Sequence, residues 1–183
     1  MRKVILFIAM SLDGYIVDSQ GKIDWLSGQD ENIETKDIYS TFVQNIDTVI
    51  MGWNTYNQIV TELSPDVWPY DSFQSYVVTH HPEESTNTIQ FVSHQPEDLM
   101  KELKQKEGKD IWICGGAQMI QSLMQTQCID EYHISIIPTL LGSGILLFKD
   151  CFSSIPLQLI SCHENNGILD TIYKPRKVSD RNG

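Results

Sequence analysis

Residues 110–125 join an apolar run, Ile111-Trp-Ile-Cys114, to a helix-spaced set, Met119, Ile120, Leu123 and Met124, with only Gly115 and Gly116 between them. A strand that passes into a helix through two glycines points to layered α/β architecture, because the helix must pack its apolar stripe back on the sheet it has just left. The preceding two thirds of the chain repeat this alternation. Residues 4–10 are continuously apolar and stop at an Asp13-Gly14 turn, which suits a strand buried on both faces. Residues 30–45, with Ile33, Ile38 and Phe42 at roughly helical spacing, predict the first helix. Residues 48–51 form a second buried strand stopped by Gly52, and residues 55–63 a short helix with Tyr56, Ile59 and Leu63 on one face. A loop through Pro65 and Pro69 follows, then β-rich runs at 75–79 and 88–93 around a Pro82 turn, and an amphipathic helix at 96–106.

Beyond residue 125 the pattern changes. Residues 131–141, 145–148, 157–162 and 168–173 read as strands with no helix between them, so the α/β body ends in an antiparallel β part. The expected organisation is a single domain over residues 1–174 and a flexible polar tail at 175–183 carrying Arg176, Lys177 and Arg181.

Charge narrows the function classes. In 183 residues there are 24 acidic and 13 basic side chains, a net charge of −11. Neutralising a polynucleotide backbone needs a concentrated Lys/Arg surface, so nucleic acid is not an expected partner; a small molecule in a local pocket is. The N-terminal apolar run is too short for a membrane helix and lacks a small-residue cleavage site, which predicts a cytoplasmic protein without a membrane partner. Cys114, Cys128, Cys151 and Cys162 form no C-x-x-C pair and are expected as reduced, buried thiols.

In an open parallel sheet, ligands collect at the carboxyl ends of the strands. Four such ends carry unusual residues: Ser11 to Tyr15, Gly52 to Tyr56, Thr79 to His81, and Cys114 to Ala117. Gly115 and Gly116 allow close backbone approach to a phosphate at a helix start, although a glycine pair also serves as a plain tight turn. Asn54 or Thr55 can cap a second helix in the same way. Of His80 and His81, adjacent and pointing oppositely, one at most faces a site. Zincin, zinc-deaminase, P-loop, dinucleotide G-x-G-x-x-G and G-x-S-x-G patterns are all missing from the sequence, and no metal site is expected.

Five motifs then occur in order: Met10-Ser-Leu-Asp-Gly-Tyr-Ile16, Ile23-Asp-Trp-Leu26, Asp47-Thr-Val-Ile-Met-Gly-Trp-Asn-Thr-Tyr56, Ile111-Trp-Ile-Cys-Gly-Gly-Ala117, and Pro138-Thr-Leu-Leu-Gly-Ser-Gly144 with Leu147-Phe148. Together they resemble the dihydrofolate reductase-like fold, and specifically the small proteins similar to the C-terminal reductase domain of the bifunctional riboflavin-biosynthesis deaminase-reductase. The resemblance implies a three-layer α/β/α sandwich on a mixed, mostly parallel sheet of eight strands with antiparallel C-terminal strands. It further implies NADPH across the strand ends and hydride transfer to a pteridine-like or ribosylaminopyrimidine substrate.

By position, the resemblance puts Ala9 and Ile16 at the nicotinamide carboxamide. It puts Gly52, Trp53, Asn54 and Thr55, with Gly115, Gly116, Ala117 and Gln118, at the phosphates, and Thr79 and His80 beside the coenzyme. The Gly115–Gly116 bond falls where this fold often has a cis peptide. Trp25 and Tyr56 are the expected substrate-pocket residues. Asp30, counted from Trp25 to the start of the first helix, is the expected proton-supplying acid, with Glu31 and Glu34 close by; it equally suits a helix N-cap.

This chain also departs from the pattern. Many relatives have Arg where Trp53 stands and basic residues where His80 and His81 stand, cations that grip the 2′-phosphate of NADPH. An indole and two imidazoles carry little positive charge at neutral pH. No Asp-Asp-Pro follows Thr55, and Tyr15 stands where the riboflavin-pathway enzymes often have Lys. Related riboflavin reductases are dimers, so a homodimer is a further expectation. The alternative readings are a catalytically weakened nucleotide-binding or sensing protein on the same fold, and an interaction module.

Overall fold

The computed structural model describes residues 1–30, 32–33, 36–81, 83–149 and 153–176. Glu31, Glu34, Pro82, Cys151 and tail residues 177–183, singled out above, lie outside the described residues. The chain runs β1 (Val4–Ser11), β2 (Tyr15–Val17), α1 (Ile38–Phe42), β3 (Ile46–Gly52), α2 (Trp53–Gln58), β4 (Gln74–Val78), β5 (Ile89–Val92), α3 (Pro96–Gln105), β6 (Asp110–Gly115), α4 (Ala117–Gln125), β7 (Glu131–Ile137), β8 (Ile145–Leu146), β9 (Leu157–Asn165) and β10 (Ile168–Pro175).

Eight strands form one sheet in the order β5-β4-β3-β6-β1-β7-β10-β9. The first six are parallel, while β10 runs antiparallel to both β7 and β9. All six parallel strands therefore end on one rim. β2 and β8 pair separately as a short antiparallel ribbon.

Side-chain alternation sorts the strands into two cores. On one face Val4, Leu6, Ile111 and Ile113 pack with Leu99, Leu103, Ile120 and Leu123 of α3 and α4. On the other, Ile5, Val49, Met51 and Trp112 pack with Phe42 of α1 and Ile59 just beyond α2. Leu103 and Leu123 are fully buried, each worth about 1.5–3 kcal/mol of transfer free energy. No helix among the described residues is long and apolar enough to cross a membrane.

Several expectations need correction. The first helix covers only Ile38–Phe42, capped by Asp37, whose side chain accepts a bond from Ser40 N, instead of spanning residues 30–45. Asn166, in the β9–β10 turn, competes for the backbone before it: its Nδ2 donates to Asp30 O (2.9 Å) and Ile33 O (3.3 Å), and its Oδ1 accepts from Asp30 N (3.1 Å). Ile33 is consequently half-exposed. α2 starts at Trp53 with Gly52 as its cap, so neither Asn54 nor Thr55 caps it, and it continues into a wider π-type turn closed by Ser64 N to Ile59 O at 2.8 Å. Leu63 at its end is exposed, whereas Ile59 is buried and Tyr56 half-buried. Cys162 is likewise exposed, on β9 at the edge of the sheet. β2 was not anticipated.

Candidate functional site

The two glycine turns lie side by side. β3 and β6 are parallel neighbours, and each passes directly into a helix. A Cβ added to Gly116 would lie 3.4 Å from both Cα and N of Gly52, and one on Gly115 would lie 3.2 Å from Thr55 Oγ1. Gly116 has φ +92°, a region glycine adopts without strain, and with it the chain turns through a trans bond. The expected cis bond is therefore absent. α4 has no side-chain cap, and its bonding begins with Ile120 N to Gly116 O (3.0 Å). The preceding N–H groups thus have no acceptor within the helix, and the rim above Gly116 is a backbone cradle suited to an anion.

Other expected residues sit around this cradle. Thr79, at the end of β4, is buried, and its Oγ1 accepts from His81 N at 2.9 Å. His81, not His80, meets the next turn: its ring stacks on Trp53, centroids 4.2 Å apart and 16° from parallel. Tyr56 packs among Trp53, Trp68 and Phe91. Asn54 and Gln118 are exposed on their helices' first turns, and Ala117 opens α4. Ile16 lies in β2 against the core, while Ala9, in the carboxyl half of β1, pairs with Ser135 of β7.

On the other side of β1 from β6 lies a mostly apolar cavity of about 260 Å³ between α1 and strands β1, β7, β10 and β9. Phe7 and Phe42 form one wall, stacked 4.2 Å apart at 12°. Strand register places Ala9, Ser135, Asp170 and His163 in one row, the last three lining the cavity. Ser135 Oγ donates to Asp170 Oδ1 at 2.6 Å. His133, one row deeper, also lines it, with Nε2 3.0 Å from Glu131 Oε2. Burial alone would raise the Glu131 pKa; the bonds from His133, Lys3 and Lys174 outweigh it and hold the carboxyl down at about 2.

The three residues expected around a substrate are not gathered there. Trp25 donates its Nε1–H to Lys22 O (3.2 Å) on the loop after β2, and Asp30 accepts from Asn32 N and Nδ2 on its own loop. Those two bonds lower the Asp30 pKa. Neither of these two residues nor Tyr56 lines the cavity. The sequence reading missed Ser135, Asp170, His133 and His163. Their available signal was polar residues alternating with isoleucine in strands otherwise apolar, as in Tyr132-His-Ile-Ser-Ile136.

Comparison with known proteins agrees with this architecture. Residues 2–166 match the family model of the RibD C-terminal domain. Bacillus subtilis (strain 168) YwjB, described as uncharacterized, is 40% identical over 162 residues, covering 86% of this chain and 89% of that protein. The crystal structure of a Shewanella sp. PV-4 protein with a provisional riboflavin-biosynthesis name superposes with a TM-score of 0.82 at 31% identity, covering 96% of this chain and 99% of that one. A Thermotoga maritima diaminohydroxyphosphoribosylaminopyrimidine deaminase/5-amino-6-(5-phosphoribosylamino)uracil reductase shares the fold, with a TM-score of 0.69 at 15% identity over 96% of this chain and 57% of that one.

Proposed function

This chain belongs to the RibD C-terminal domain family, and on that premise we propose that it is a reductase that uses a reduced nicotinamide dinucleotide, NADPH in the family resemblance, on a flat pteridine-like or ribosylaminopyrimidine substrate. One observation carries the reading. The cradle at Gly52 and Gly116 and the cavity at Ser135 and Asp170 flank β1 from opposite sides, so a dinucleotide held by the first reaches the second across Ala9.

The reduced nicotinamide supplies a hydride; the chain's residues supply everything else. Gly115 and Gly116 let the backbone N–H groups of α4 approach the pyrophosphate. Phe7 and Phe42 present a flat apolar wall that excludes water and sets the plane of the substrate ring. Ser135 positions the Asp170 carboxylate, which shares a row with Ala9 and so lies at the reacting end of the cavity. In this reading Asp170, in place of Asp30, orients substrate N–H groups, and the proton that the product needs is taken from solvent on the side of the cavity where His163 is exposed. The test is saturable oxidation of reduced coenzyme with 5-amino-6-(5-phosphoribosylamino)uracil, its dephosphorylated form and oxidised pteridines as candidate substrates. Turnover of none of them by coenzyme-saturated protein counts against the reading.

A further inference from the structure

The dinucleotide's two halves fit this chain unequally. The cavity lies on the β7 side of β1, so the nicotinamide half must turn that way from the cradle between β3 and β6. The adenosine half then runs in the opposite direction, over the end of β3 toward β4, where Trp53 and His81 lie stacked. An indole on an imidazole is a flat surface suited to a purine ring.

A 2′-phosphate on that adenosine brings close to two negative charges, and enzymes that hold such groups supply Arg or Lys. Here residues 37–100 contain no Lys or Arg, and neither do residues 110–148. These segments include the whole of β3, α2, β4, β5 and β6, and all the turns of the rim between them. The acidic group close enough to act on Tyr56, which packs against Trp53, is the exposed carboxylate of Glu83. Lys22, whose turn is tied to α2 by Gln58 Nε2 to Gly21 O (2.8 Å), sits at the far end of that helix from Trp53. Lys101, on α3, is paired with Asp98.

We infer that the adenosine half lies on the Trp53–His81 stack with no Lys or Arg among the described residues there to pair a 2′-phosphate, so that this chain takes NADH in preference to NADPH. The inference rests on the reductase reading above for the position of the dinucleotide. It makes Trp53 and His81 the residues that set coenzyme preference.

The test is titration of the full chain with NADH and with NADPH at one ionic strength, followed by tryptophan quenching and thermal protection, with 5′-AMP and 2′,5′-ADP as competitors. NADH is expected to bind about tenfold more tightly than NADPH, and 5′-AMP to compete at least as well as 2′,5′-ADP. Trp53→Arg, and separately His81→Arg on the exposed side of the stack, are expected to shift the NADPH/NADH ratio of Kd about tenfold toward NADPH. Tighter binding of NADPH than NADH by the native chain, or a ratio that neither substitution moves, overturns the inference and leaves the reductase reading standing. Binding of neither coenzyme overturns the reductase reading itself.

Discussion

Ser135 and Asp170 face each other across the antiparallel β7–β10 pair, the serine hydroxyl donating to the aspartate carboxylate at 2.6 Å inside a mostly apolar cavity that Lys36, His133 and His163 also line. A carboxylate so placed is an orienting group for a ring bearing N–H donors. Asp170→Asn is expected to lower kcat/KM for whichever candidate substrate turns over by about 10- to 100-fold, the cost of a lost charge-assisted bond. Ser135→Ala should have a smaller effect in the same direction. Coenzyme Kd, measured by fluorescence titration, should stay constant in both, since neither residue touches the glycine cradle.

Gly116→Ala tests the cradle. Gly116 and Gly21 both have positive φ, +92° and +79°, so alanine at either costs about 1–3 kcal/mol of backbone strain. Only at Gly116 does the new methyl also press on Gly52, 3.4 Å away, whereas nothing lies within 4 Å at Gly21. Both variants should melt at lower temperature, and only Gly116→Ala should weaken dinucleotide binding.

Glu131 gives a pH signature. Its pKa, about 2 against an ordinary 4.5, is depressed in the folded state, so its contribution to stability is complete above pH 4.5 and is lost as pH falls toward 2. Because Lys3 and Lys174 are about half exposed, the loss is of the order of 2 kcal/mol. Denaturant unfolding of the wild type across this range should show the decline, and Glu131→Gln should flatten it while lowering stability at neutral pH.

Thiol reactivity separates the cysteines. Burial pushes the Cys114 thiol up to about 11, against a smaller lowering by its contact with Tyr70 at 3.5 Å, while Cys162 lies exposed on the edge strand. A thiol reagent at neutral pH should label Cys162 in the native protein and Cys114 only after unfolding, as mapped by peptide mass spectrometry.

What could be read from the sequence followed from how local the determinants are. The strand, glycine pair and helix at 110–125 need only their own residues, and α4 begins and ends where the spacing placed it. The glycine turns of the rim were legible for the same reason. The first helix was not, because Asn166, far along the chain, takes the backbone groups of Asp30 and Ile33. Nor was the cavity: the Asn166-Gly167 turn sets the β9–β10 register that aligns Asp170 with His163, but Ser135 meets Asp170 only through the long-range pairing of β7 with β10, which no local signal fixes before the sheet forms. Asp30 was reached by counting from Trp25, and the segment it occupies departs from the helix that such counting assumes.

The most direct test of the central claim follows the hydride itself. The protein would be incubated with coenzyme deuterated at the transferring position of C4 and each candidate substrate, and the product mass measured. A product carrying one deuterium is expected, formed by the wild type and suppressed by Gly116→Ala and by Asp170→Asn through Kd and kcat/KM respectively. No deuterated product from any candidate, with coenzyme demonstrably bound, would contradict that claim and leave a nucleotide-binding protein on a reductase fold.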